Sequence, residues 1–122
     1  MKRVIVMAFL VVFGAVAIAQ PHVDPAHAQL QSAYQAFAAG NVDASDRALT
    51  SMLRSRPSAE AYLLRGAVRY TRAMLSRDPD PMLGAAKNDF RAALKMKKAL
   101  RLNRNAFSPK LVAFFEEVRN GG

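Results

Sequence analysis

Apolar residues return every three or four positions along most of the chain, the spacing that lines one face of an α-helix. No stretch alternates apolar and polar residues with β-branched enrichment, so no strand is expected. The spacing predicts five helices. The first runs from about Pro25 to Ala39, with Leu30, Tyr34 and Phe37 on one stripe. Asp24 can cap it, Pro25 suits its first position, and Gly40 stops it. The second runs from about Val42 to Ser55 and ends at Pro57; Leu49, Met52 and Leu53 share its apolar face. Asp43 and Asp46 read as first-turn charges that favour the helix dipole.

The third helix is predicted from about Ser58 to Arg77. It carries two apolar stripes, one through Leu63, Ala67, Tyr70 and Met74, the other through Leu64, Val68 and Leu75. Two stripes imply a central helix packed on two sides. Asp78-Pro79-Asp80-Pro81 breaks the chain. The fourth helix follows from about Pro81 to Lys98, with Asp80 as its cap and Ala86, Phe90 and Ala93 on its face. The fifth opens at Ser108-Pro109, a cap and a first-turn proline. Phe107 can staple across that cap onto Val112. Leu111, Phe114, Phe115 and Val118 form its buried face.

The first twenty residues differ in kind. Lys2 and Arg3 precede an unbroken apolar run, Val4 to Phe13, and Ala17-Ile18-Ala19 is a small-x-small triplet. That is the layout of a cleavable secretory signal over residues 1–19, cut after Ala19. A second triplet ending at Ala28 offers a runner-up cut, and an uncleaved anchor is the other reading. The apolar stretch is shorter than the roughly 20 residues of a membrane span. The expected layout is therefore a signal at 1–19, a flexible mature start at 20–25, a helical domain at 26–119 and a tail at 120–122. A periplasmic or secreted location follows.

Several residues carry a resemblance to the tetratricopeptide repeat family, helix-turn-helix units of about 34 residues. Tyr62 and Gly66 stand at the family's aromatic and glycine positions in a first helix. Ala86, Phe90 and Ala93 match its small-aromatic-small signature in a second helix. Gly40, Ser45, Leu49, Met52 and Pro57 follow the earlier repeat more loosely. The signature is a packing device: two alanines let a facing helix approach, and Phe90 fills the gap between them. Arg65 and Arg69 depart from the family's Leu and Tyr. Leu49 and Phe90 lie 41 positions apart, beyond the period of about 34, with the excess near the DPDP break. The closing AFSPKLVAFFEEVR also resembles tails that follow such repeats in secreted bacterial proteins. The resemblance implies an all-α fold of antiparallel helix pairs with a C-terminal capping helix. It also implies a groove lined by first helices, with Glu60, Leu63, Ala67 and Tyr70 on or near it, that binds a protein or peptide.

Composition narrows the chemistry. The chain has 122 residues, no cysteine, and 18 Lys plus Arg against 9 Asp plus Glu, a formal charge of +9. Disulfides and thiol chemistry are excluded. The two histidines, His22 and His27, are five apart and do not share a helix face. Pro21 lacks the N–H that an amino-terminal copper or nickel site would use. No phosphate-binding glycine loop is present, and no carboxylate pair is singled out by spacing. No metal, no cofactor and no enzyme are expected. The candidate partner contacts are Tyr62, Arg65, Arg69 and Tyr70, with Arg65, Arg69 and Arg72 forming a basic row open to either solvent or an acidic partner. A second candidate is the run KMKKALRLNR, where Lys95, Lys97, Lys98, Arg101 and Arg104 occur with no acid among them. It is either a solvated helix end or a patch for an acidic protein or anionic envelope polymer. It lacks interleaved exposed aromatics, so nucleic acid is not expected.

Overall fold

A computed structural model describes residues 25–121. The proposed signal, Asp24 and His22 lie outside the described residues. The rest folds into five helices in chain order: α1 Pro25–Ala38, α2 Val42–Ser55, α3 Ala59–Met74, α4 Asp80–Met96 and α5 Pro109–Arg119. No strand occurs among the described residues. No helix among them is long and apolar enough to cross a membrane.

Local chemistry sets the helix ends. Gly40 closes α1 at φ 86°, a left-handed conformation that glycine adopts without a Cβ penalty. The Asn41 side chain accepts a hydrogen bond from the Ala44 N–H, and the Ser58 hydroxyl accepts one from Ala61. Ser108 does the same for Leu111, and Pro109 follows it at the first position. Some expected boundaries shift, and the fourth helix ends at Met96 rather than Lys98. The third helix stops at Met74 rather than Arg77, because the chain turns through Leu75 and Ser76 before the prolines. Asp80 is a helical residue and not a cap; Pro79 precedes it with no side-chain cap bond. Met74 and Leu75 are exposed, at the ends of stripes whose other members are buried or half-buried.

Alpha-helix α3 is central. It packs against α2 on one side and α4 on the other, while α5 rests on α4 and α3. Two apolar clusters result. The first joins Ala33 of α1, Leu49, Met52 and Leu53 of α2, and Leu64 and Val68 of α3. The second joins Ala67 of α3, Phe90 of α4, Leu102 of the following loop, and Leu111, Phe115 and Val118 of α5. Phe90 is fully buried between Ala86 and Ala93, which are also fully buried. Its ring meets Phe115 edge to face at 5.1 Å. Burying such a ring stabilises the fold by about 1.5–3 kcal/mol. Ser45 stands where α1 and α2 meet; its hydroxyl donates to the Ala33 carbonyl at 2.8 Å in a buried contact. A larger residue would hold those helices apart.

The loop over residues 97–108 is tied down at several points. Leu102 is buried. Arg119 donates to the carbonyls of Lys98 and Leu100. Phe107 packs against both clusters, the second of which contains Val112. It also reaches back to α1, with ring centroids 6.2 Å from Tyr34 and 5.9 Å from Phe37. That contact was not expected from the capping pattern.

Candidate functional site: two opposite faces of the central helix

Residues 65, 69 and 72 recur at four and three positions, so their side chains share one face of α3. That face looks toward carboxylates on both neighbouring helices. Arg65 forks onto Asp89 of α4: Nε donates to Oδ2 at 3.1 Å and Nη2 to Oδ1 at 2.8 Å. Arg69 lies between the two acids, with Nε 3.3 Å from Asp46 Oδ2 and Nη1 3.4 Å from Asp89 Oδ2. Arg72 completes the row through Nη1 to Asp46 Oδ2 at 2.6 Å and Nε to Asp43 Oδ1 at 3.2 Å. The Thr50 hydroxyl donates to Asp46 at 3.2 Å and accepts from Arg65 at 3.3 Å.

Asp46 and Asp89 are buried, at 5% and 3% exposure. A buried carboxylate is tolerated only when paired and hydrogen-bonded, and both are. Burial pushes the Asp46 carboxyl upward. The hydrogen bonds from Arg69 and Arg72 oppose it, with the Arg69 charge and Thr50 helping, and the net position is below the ordinary value. Burial lowers Arg65 in the same way, and Asp89 outweighs it, so Arg65 is held more firmly protonated than usual. Three arginines and three aspartates thus form an ionic seam along α2, α3 and α4.

Tyr70 occupies a different face. Its ring lies 5.0 Å from Phe114 of α5. Together with Lys110, Ala113, Glu117 and Asn120 the two rings line an open cleft between α3 and α5. Leu63 and Ala67 lie on the same side of α3, in the cluster around Phe115. Of the four candidate contact residues, the structure brings Tyr62, Arg65 and Arg69 to one side and sets Tyr70 apart. Tyr62 is half-buried beside the first cluster, with the Arg65 guanidinium 5.7 Å from its ring centre. The guanidinium groups of Arg65 and Arg69 are already engaged within the chain.

The second basic candidate divides as well. Lys97 pairs with Glu60 at 2.7 Å, and Arg101 with Glu116 at 3.2 Å. The hydrogen bond from Lys97 holds the Glu60 carboxyl below its usual range. Lys95, Lys98 and Arg104 are exposed, and their side chains have no acidic partner among the described residues. Only Lys95 is on α4; the other four follow its last residue, Met96.

Sequence reasoning missed Asp46 and Asp89 as partners of the arginine row. Asp46 reads as a first-turn charge, and Asp89 stands unremarked beside Phe90. The available signal was an acid among the buried positions of each flanking helix: Asp46 adjoins the packed Ser45, and Asp89 adjoins Phe90.

The folded region is an all-helical protein whose central helix is ionic on one face and aromatic on the other. No family model, curated protein or solved structure matches the chain.

Proposed function

We propose that the chain is an exported, tetratricopeptide-like adaptor that binds a protein or peptide partner through a helical groove. The observation that carries this is the α3–α5 cleft, where the half-buried rings of Tyr70 and Phe114 stand open beside Lys110 and Glu117. Large aromatic rings in an open cleft, with charges at its rim, are the makings of a peptide anchor site. The tetratricopeptide likeness is supported by the close packing of Gly66 on Phe90 and by the burial of Ala86, Phe90 and Ala93. Export is supported by the signal-like pattern of residues 1–19. The groove contacts move accordingly toward Tyr70 and away from Arg65 and Arg69, whose charges are satisfied at home.

Affinity capture from the source organism's envelope extract tests this, with wild type run beside Lys110→Glu and Tyr70→Ala. Lys110 is exposed, so its reversal perturbs the rim without touching the core. A partner held by wild type and lost by both variants supports the groove. A partner retained by both refutes it.

A second reading is a basic envelope binder acting electrostatically on an anionic polymer or lipid. Lys95, Lys98 and Arg104, exposed without acidic partners among the described residues, favour it. Such binding falls steeply with salt. Lys98→Glu with Arg104→Glu would then weaken attachment to isolated envelopes, and an attachment indifferent to salt rejects that reading.

A further inference from the structure

On the far side of α3 from Tyr70, a second cleft lies between α2 and α3. Its inner wall is the ionic seam: Arg69 and Arg72 are matched there by Asp46 and Asp43. Its outer wall is α2, which contributes Arg47, Ser51 and Arg54. Arg47 and Arg54 are exposed and have no ion pair among the described residues. Four guanidinium groups therefore face two carboxylates. The third carboxylate of the seam, Asp89, is taken by the fork of Arg65. The cleft keeps a surplus of positive charge, carried by the two outer arginines. Arg54 falls in the last turn of α2, where the helix dipole welcomes a cation. Arg47 sits mid-helix, where the dipole offers nothing.

The spacing of the two arginines selects a ligand. They are seven residues apart on α2, which puts them on one face about 10.5 Å apart along the axis. One carboxylate or phosphate reaches one of them well. An extended polyproline-like chain presents residues i and i+3 on the same side about 9.3 Å apart. A docked helix is disfavoured, since helix grooves are apolar and this wall is built of guanidinium and hydroxyl groups. We infer that the α2–α3 cleft binds an acidic, extended peptide segment whose two carboxylates, three residues apart, pair with Arg47 and Arg54. Each pairing is a charge-assisted hydrogen bond of the fork type that arginine forms with carboxylates. The Ser51 hydroxyl between them faces the peptide backbone. This surface is additional to the Tyr70 groove and lies on the opposite side of α3.

The test is fluorescence anisotropy of labelled proline-rich peptides titrated with the purified protein. One peptide carries Glu at i and i+3, one carries Gln at both positions, and one carries the two Glu residues side by side. The i, i+3 peptide is expected to bind about tenfold more tightly than the Gln peptide and more tightly than the adjacent-Glu peptide. Arg47→Glu with Arg54→Glu should abolish that preference in a protein that still melts cooperatively, with only a small fall in melting temperature from the lost dipole contact of Arg54, because neither side chain is ion-paired among the described residues. Lys98→Glu with Arg104→Glu should leave it intact. Equal binding of Glu and Gln peptides overturns the inference, as does indifference to spacing or to the Arg47/Arg54 reversal. Binding to anionic vesicles or polysaccharide alone also overturns it, and assigns the surplus charge to a surface polymer. Lys110→Glu should not affect this binding, so failure here and failure of the Tyr70 groove are told apart.

Discussion

Gly66 is the position where one added carbon tests the packing most directly. A Cβ built there would lie 2.6 Å from Cδ1 and Cε1 of Phe90 and 3.1 Å from its Cζ. Carbon atoms prefer about 3.5–4.0 Å, so close to an ångström must be found on each of two ring atoms. The ring has nowhere to go. Phe90 is fully buried, Ala86 and Ala93 pack beside it, and Phe115 stands edge-on at 5.1 Å. Overpacking of this kind costs about 1–3 kcal/mol. Alanine's better helix propensity returns up to about 1 kcal/mol. Gly66→Ala is therefore expected to destabilise by about 1–2 kcal/mol, a loss of roughly 4–8 °C in Tm for each kcal/mol. Gly84→Ala in α4 is the control, since a Cβ there meets nothing within 4 Å. It should stabilise by about 0.5–1 kcal/mol. Urea and thermal melts read by circular dichroism measure both. Adding Phe90→Leu to Gly66→Ala removes the clashing ring edge, so the double variant should lose less than the two single losses combined. If Gly66→Ala is as stable as Gly84→Ala, the ring does not sit against α3.

Three further outcomes follow from the same contacts. Asp46→Asn removes the charge shared by Arg69 and Arg72. Arg69 keeps Asp89 and Arg72 keeps Asp43, and both arginines are partly exposed, at 21% and 34%, so the loss of their shared partner should cost about 1–3 kcal/mol in denaturant melts. The native Asp46 carboxyl is held below its ordinary value. Its contribution is therefore complete above about pH 3.9 and disappears as pH falls through the lower native value. Acid titration should accordingly show a shallower loss of stability in Asp46→Asn than in wild type. Phe107→Ala breaks the contacts with Tyr34 and Phe37; because Phe107 is only half-buried, it should cost about 2–3 kcal/mol, less than a fully buried ring, and speed amide exchange in the loop over residues 97–108. Lys97→Ala loses an ion pair whose partners are 58% and 45% exposed, so melts should move by less than about 0.5 kcal/mol.

Much of the helical order was legible because it is written locally. Gly40, Pro57, the DPDP break and Ser108-Pro109 are punctuation that acts within a turn or two, and the helices begin or end beside them. The burial of Ala86, Phe90 and Ala93 followed from their spacing on one face. The candidate site was harder because its logic is long-range. Spacing alone shows that Arg65, Arg69 and Arg72 share a face; it does not show what lies opposite. Asp89 is 24 positions after Arg65, and Asp46 is 23 before Arg69. Neither distance has a sequence signature. Tyr70 differs from the arginines by its angle around α3, which periodicity does give. Which neighbour that angle meets depends on where α5 docks, and the loop over residues 97–108 decides that through Leu102, Phe107 and Arg119.

The two faces of α3 answer different structural demands. Toward α5 the contact is aromatic, and rings tolerate small shifts because packing is weakly directional. Toward α2 and α4 the contact is a set of forked hydrogen bonds, which hold only at one register. A one-residue slide of α4 along α3 would move Asp89 by about 1.5 Å and break the two-pronged contact with Arg65. It would also carry Phe90 off Gly66. The ionic seam and the glycine-ring contact therefore select the same alignment from two sides of the α3–α4 interface. The same arrangement accounts for the free arginines of α2. Every acid within the seam is engaged by Arg65, Arg69 or Arg72, so Arg47 and Arg54 face outward with nothing in the seam to neutralise them. The fold takes up the inner charges and leaves the outer ones available for recognition.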